Sequence, residues 1–181
     1  ALEEFSRLHR AFTIAANYSS GMTPMAITRH GTPEQKEKYL RGFAQGKLKS
    51  GFALTEPEAG SDPAGMRTRA EKRGDKWVLN GKKHYISGGH VADVIMVMAV
   101  TDSEKRARGG ITAFLLDRGT PGFTVTRVDT TIATDAIKLA ELTFEDCVLP
   151  ESAVVGEVGA GFKVAMRSLN DGRLSVSCSC V

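Results

Sequence analysis

From Gly51 onward, for about a hundred residues, the chain reads as short β-type runs separated by turns, with no helical pattern between them. No other feature narrows the possible folds as much. Residues 76–80, 84–87, 94–101, 111–116, 123–128 and 139–144 are dense in Val, Ile, Phe, Leu and Thr, the residues that suit a pleated, half-buried surface. Asn80-Gly81 is a two-residue hairpin signal between the first two runs. Gly109-Gly110 and Gly119-Thr120-Pro121-Gly122 mark further turns, and the polar, charged residues 101–110 read as an exposed loop. Parallel strands need long crossovers, usually helices, and none is visible here. The expectation is an antiparallel β-barrel or sandwich.

Both flanks have a different texture. Leu2, Phe5, Leu8, Phe12 and Ala15 recur at helical spacing. Thr32-Pro33-Glu34-Gln35 then opens another helix, with Thr32 as cap, Pro33 at the first helical position and Gln35 at the third; Gly46 is a stop signal. After Pro150, a glycine-rich bend over residues 156–161 leads to Phe162, Ala165, Met166 and Leu169, again at helical spacing. The class is therefore α+β, in three parts: helical residues 1–50, a β middle at 51–152, and the start of a second helical region at 153–181. That region stops at Val181 without cap or polar tail, and the chain lacks an initiator Met, so both ends read as incomplete.

Composition bounds the function. The 181 residues are 41% hydrophobic and 25% charged, which is ordinary for a soluble globular protein. A net charge of +3 is too small to argue for nucleic acid. The longest apolar run, residues 94–100, is far short of a bilayer span. Glu3, Glu4, Arg7 and Arg10 break up any leader-like core, so secretion is not expected. Cys147, Cys178 and Cys180 are an odd count that suits a reducing compartment. Cys178 and Cys180 can supply two metal ligands, but a structural zinc wants four, so the thiols read as small buried residues.

Several nucleotide and hydrolase motifs are absent. Gly159-Ala160-Gly161-Phe162-Lys163 lacks the Gly-Lys-Ser/Thr ending of a phosphate-binding loop. No Rossmann fingerprint, zincin histidine pair or Gly-x-Ser-x-Gly elbow occurs. The densest feature is the segment Phe52-Ala53-Leu54-Thr55-Glu56-Pro57-Glu58-Ala59-Gly60-Ser61-Asp62. It is a strand entering a loop of small residues, free N–H groups and hydroxyls. Gly60 allows close approach to the backbone, Ser61 and its neighbours can form an anion nest, and Thr55 can donate to the carbonyl of a planar ring. An ordinary Asx or Ser/Thr turn closing a strand explains the same residues.

This segment resembles the Tyr/Phe-x-x-Thr-Glu-Pro-x-Ala-Gly-Ser-Asp signature of acyl-CoA dehydrogenases. The resemblance runs in order through the whole chain: His30 to Lys36 before the signature, Leu79-Asn80-Gly81-Lys82-Lys83-His84-Tyr85-Ile86-Ser87-Gly88 after it, then residues 144–150 and 156–162. It implies FAD as cofactor. Carried over, the flavin contacts fall on Phe52, Ala53, Leu54, Thr55, Gly60 and Ser61, and on Tyr85, Ile86 and Ser87. Thr55 would lie near the pyrimidine edge, Ser61 near the pyrophosphate and the acyl-CoA channel, Tyr85 over one ring face, and Ser87 toward N5. Without the resemblance, Tyr85 is simply a half-buried strand aromatic. Asn170-Asp171-Gly172-Arg173 resembles the family's Asp/Asn-x-x-Arg at a helix start, which places Asn170 and Arg173 toward substrate. The plain alternative is Asn170 as a helix cap and Arg173 as a solvated charge.

In this family a carboxylate removes the α-proton of an acyl-CoA thioester while the β-hydrogen passes as hydride to flavin N5. The resemblance places the Glu base beyond Val181, and Gly172 stands where a minority of members carry it, so no catalytic residue is expected within this chain. It also implies an electron-transfer flavoprotein as acceptor, a homodimer or homotetramer, and a bacterial cytoplasmic or mitochondrial matrix location. The detail leans toward short branched-chain members. Ala136-Ile137-Lys138-Leu139 departs from the family's polar Ser-x-Thr, and Glu58 replaces a frequent Gly. An oxygen-using relative (an acyl-CoA oxidase or flavin monooxygenase) and a non-catalytic flavin- or partner-binding barrel are the competing expectations.

Overall fold

The computed structural model describes residue 4 and residues 7–132 and 137–178. Helices α1 (Arg10–Ser20), α2 (Met22–His30) and α3 (Pro33–Ala44) precede the sheet. The strands are β1 (Ser50–Ala53), β2 (Arg69–Arg73), β3 (Lys76–Ser87), β4 (Val94–Val100), β5 (Ile111–Asp117), β6 (Phe123–Thr130) and β7 (Lys138–Pro150), and α4 (Gly161–Cys178) follows them. Helices flank a curled sheet, which bears out the α+β class.

The sheet is mixed. Its order is β1-β4-β2-β3-β7-β6, with β5 also on β4, and β1 runs parallel to β4. The parallel pairing is made across the long segment from residue 54 to 93, which contains a single 3-10 turn (Pro63–Gly65) and a β-hairpin but no α-helix; the sequence offered no crossover to signal it. Strand β4 shows why residues 94–100 are a continuous apolar run. Ile95, Val97 and Ala99 pack inside the curl with Trp77, Leu79 and Phe114, whereas Val94, Met96 and Met98 pack outside against Ile27, Phe43 and Ala165. A strand buried on both faces has no polar side to show.

The Asn80-Gly81 hairpin expectation is corrected. Strand β3 runs unbroken through both residues, and the hairpin turn lies at Gly74-Asp75, between Arg73 and its partner Lys76. Asn80 instead closes a bulge opposite: its side chain exchanges hydrogen bonds with Asp146 (Nδ2 to Oδ1 3.2 Å, and Asp146 N to Oδ1 2.8 Å). Gly81 is required for a different reason. It has φ +148°, and a Cβ there would lie 2.6 Å from the Thr68 Cα.

The helical expectations fare unevenly. Thr32 and Gln35 form the capping box at the start of α3, and Gln35 Nε2 also donates to the carbonyls of Ser152 and Val154. Along the first stripe, Leu8 and Phe12 are 76% and 57% exposed, so this face is not covered within the described residues. Leu2 and Phe5 lie outside them. Asn170 is not a helix cap: it is the tenth residue of α4, which opens at Gly161. Cys147 is buried as expected, and burial pushes its thiol up to about 11, which makes it an inert core residue. Cys180 and the side chain of Cys178 fall outside the described residues.

Candidate functional site

Helices α1 and α2 dock on β1 and on Leu48, just before it, through three hydroxyl-to-carbonyl hydrogen bonds. Ser19 Oγ donates to Leu48 O (3.0 Å), Ser50 Oγ to Tyr18 O (2.7 Å) and Thr23 Oγ1 to Gly51 O (2.8 Å). The far side of α2 is tied to α4 by the Arg29–Asp171 ion pair. Between these helices and the ends of β1 and β3 lies a cavity of about 700 Å³, within the usual size of small-molecule sites. Ile14, Met22, Phe52, Leu54 and Leu169 are among its apolar lining, while Thr55, Tyr85, Ser87 and Asp171 supply polar groups.

The two stretches singled out in sequence meet here. Phe52, Leu54 and Thr55 come from the end of β1; Tyr85, Ile86 and Ser87 come from the end of β3. Tyr85 owes its position to a bulge in β3, where Lys83 pairs with Leu142 but Ile86 with Ala140. Within that bulge Tyr85 adopts φ +57°, a left-handed conformation that costs a non-glycine residue roughly 1–2 kcal/mol. Its ring is 58% exposed and stacks on His84, with centroids 3.9 Å apart and planes 12° apart. Arg127 Nη2 lies 2.6 Å from His84 Nε2 and holds that ring in turn. A strained backbone that presents an exposed aromatic at a cavity mouth points to a planar ligand.

Other expected residues stand elsewhere. Ala53 turns its side chain into the core of the curl and does not line the cavity. Gly60 and Ser61 are exposed and outside the lining. Just beyond them Asp62 accepts from Ala64 N at 3.1 Å, so the Asx turn considered for this loop is realised there. Asn170 and Arg173 are exposed and bonded to each other (2.8 Å), on a different side of α4 from the cavity-lining Leu169, Asp171 and Gly172.

The electrostatics are simple. Asp171 is the sole charged group among the described residues that line the cavity. Its hydrogen bond to Arg29 holds its carboxyl below the usual range, so it is ionised and weakly basic at neutral pH. Burial raises the Tyr18 phenol, which stays a donor. Among the described residues no Lys, Arg or His lines the cavity, which therefore suits a planar ring or an acyl chain better than a phosphate.

Sequence reasoning missed a buried pair beneath the cavity. Lys83 Nζ donates to Glu56 Oε1 at 2.7 Å and to Leu54 O at 3.0 Å, with side-chain exposures of 0% for Lys83 and 2% for Glu56. Burial lowers the Lys83 ammonium to about 8, a fall that the Glu56 charge offsets only in part. Burial pushes the Glu56 carboxyl up, but Lys83 and the N–H groups of Arg67 (2.6 Å) and Thr68 (3.1 Å) outweigh it, and the net direction is down. One signal was available: Lys83 sits six residues after Trp77, an even spacing that suits the same face of a strand, where a buried charge needs a partner.

Residues 51–147 match the family described as acyl-CoA dehydrogenase, middle domain, and residues 1–47 match acyl-CoA dehydrogenase, N-terminal domain. The chain belongs to the acyl-CoA dehydrogenase family. A short-chain specific acyl-CoA dehydrogenase of Clostridium acetobutylicum is 36% identical over 177 residues, covering 98% of this chain and 46% of that protein. The structure of butyryl-CoA dehydrogenase from Megasphaera elsdenii superimposes with a TM-score of 0.94 at 37% identity, covering 98% of this chain and 46% of its own. A structure of PigA with FAD and proline gives 0.89 at 31% identity, covering 93% and 44%. The chain thus spans about half the length of the relatives it matches.

Proposed function

We propose that the protein carrying this chain is an FAD-dependent dehydrogenase that introduces a Cα–Cβ double bond into an acyl-CoA thioester. One observation carries the reading. Two stretches thirty residues apart, ending in Thr55 and in Tyr85 to Ser87, line a single apolar cavity that suits a planar ring. When bound, the flavin accepts the β-hydrogen of the acyl chain as hydride. The chain's own residues orient and exclude water. Phe52, Leu54 and Ile86 give the apolar wall, the Thr55 hydroxyl offers a donor at a ring edge, the Tyr85 ring offers a stacking face, and Ser87 offers a hydroxyl on the β3 side.

The α-proton needs a base of raised pKa, and Asp171, held down by Arg29, has the opposite tendency. We assign the base to a Glu beyond Val181. Gly172, on the cavity side of α4, leaves room there for substrate. The remaining assignments follow from family membership. Ala53 and Gly60 contribute backbone, and Ser61 contributes its hydroxyl toward the cofactor's phosphates and the thioester tail. Asn170 faces the CoA portion of the substrate, and Arg173 sits near the active site. The parts are the end of an N-terminal helical domain (1–50), a middle β-domain (51–152) and the start of a C-terminal helical domain (153–181). The protein passes electrons to an electron-transfer flavoprotein, assembles as a homodimer or homotetramer, and works in a bacterial cytoplasm or mitochondrial matrix. No described helix is long and apolar enough to cross a membrane.

The test is to purify the product of the whole reading frame and assay short and branched acyl-CoA esters with an artificial electron acceptor under nitrogen. Bound FAD and anaerobic bleaching by an acyl-CoA support the reading. A colourless protein that neither takes up FAD nor oxidises any thioester contradicts it, and flavin reoxidised only by oxygen moves the protein to the oxidase branch.

A further inference from the structure

The two stretches that line the cavity come from strands that are not neighbours in the sheet. Among the described residues β1 pairs with β4, while β3 pairs with β2 and β7. The sheet ladder therefore does not set the distance between Thr55 and the Tyr85 to Ser87 segment. Three other contacts join them. The N–H of His84 donates to Thr55 O at 2.9 Å, and Lys83 Nζ reaches both Leu54 O and the Glu56 carboxylate. Three consecutive residues of one stretch are thus fastened to two consecutive residues of the other. Glu56 is itself fixed by the N–H groups of Arg67 and Thr68, and Thr68 Oγ1 donates back to Lys82 O at 3.2 Å, which closes the circuit onto β3.

We propose that Glu56 and Lys83 are positioning residues of the flavin site, a buried ion pair that sets the spacing between the Thr55 hydroxyl and the Tyr85–Ser87 face. The proposal rests on the reading that the cavity holds FAD. The physical argument is one of geometry against energy. Taking two charges out of water costs about as much as their attraction returns, and apolar pairs of equal volume often serve stability as well or better. An apolar pair has no preferred direction, however. A lysine with two fixed acceptors does, and here those acceptors flank Thr55, which lines the cavity. The role expected of the pair is registry between two unpaired strands, with little share in overall stability.

The test uses the full protein carrying this chain, with three variants: the neutral, volume-matched double variant Glu56→Gln/Lys83→Met, the single Glu56→Asp, and wild type. Each is measured for FAD dissociation constant, for the resolved shoulders of the bound-flavin absorption band, and for Tm of the FAD-free protein. Expected is a Tm close to wild type for the double variant, an FAD dissociation constant raised at least tenfold, and loss of the resolved shoulders. Glu56→Asp keeps the charge but shortens its reach, and is expected to fold and to lose affinity to a smaller extent. An unchanged FAD constant and spectrum in a folded double variant overturns the proposal. Should the double variant fail to fold, an unchanged constant in Glu56→Asp does the same. Wild type that binds FAD beside variants that bind it equally well removes this inference alone; wild type that binds none removes the functional reading as well.

Discussion

Two residues with opposite surroundings define the site. Tyr85 is exposed and strained; Lys83, two positions earlier, is fully buried. Replacing Tyr85 by glycine relieves the left-handed backbone and removes the ring. Tyr85→Gly should therefore leave the Tm of the FAD-free protein unchanged or higher while weakening FAD roughly fivefold, since an aromatic stack is worth roughly 1 kcal/mol and about 1.4 kcal/mol is tenfold. A variant that binds FAD as tightly as wild type places the ring elsewhere. Lys83 gives a pH test. Folding lowers its ammonium from 10.5 to about 8, so the unfolded chain holds that proton more tightly across the interval. Stability from this group is least below pH 8 and rises between pH 8 and 10.5. Denaturant unfolding of wild type and Lys83→Met across that window should show the difference shifting in wild type's favour; a flat or opposite trend contradicts the assigned burial. Thr55 was legible in the sequence because it sits inside a dense motif, and Tyr85 and Ser87 through the family resemblance of residues 79–88. Glu56 and Lys83 were not, because lysine and glutamate usually mark surface, and only the fold reveals which strand face they occupy.

Local signals succeeded among the elements wherever the fold left them unopposed. The Thr32–Gln35 box caps α3 as its spacing indicates, and β4 and β5 lie close to where their apolar runs place them. Asn80-Gly81 is the counter-example: a strong turn dipeptide serves as a side-chain clamp and a close approach to Thr68, because β3 continues to pair with β7 through it. Strand β2, Arg69-Ala-Glu-Lys-Arg, went unread because its exposed positions are all charged and Ala70 alone points inward. Two glycine substitutions should part in sign. Gly172→Ala adds a methyl group that meets the flexible Met22 side chain at 3.4 Å, an ordinary contact, inside a helix. It should raise stability by about 0.5–1 kcal/mol in urea unfolding. Gly81→Ala meets Thr68 backbone at 2.6 Å in a positive-φ position and should cost more than about 1 kcal/mol. Equal effects of the two would mean that the β3–Thr68 approach is looser than described.

Over the whole molecule, the flanking helices complete the cavity that the sheet begins. The Arg29–Asp171 pair joins residues 142 apart in sequence, which no motif foretells; it fastens α2 to α4 and leaves Asp171 ionised. The 181-residue chain by itself should therefore bind FAD weakly and turn over no acyl-CoA, as a flavin titration and an anaerobic acceptor assay would show; measurable turnover by this chain would return the base to its own carboxylates. The central claim is that the ring of FAD lies where the ends of β1 and β3 meet. A crystal structure of the FAD complex of the full protein tests it most directly. The ring is predicted to lie within hydrogen-bonding distance of the Thr55 Oγ1 and to stack on Tyr85. A flavin ring seated away from both residues, for instance in the smaller cleft beside Tyr39 and Asp117, would contradict it.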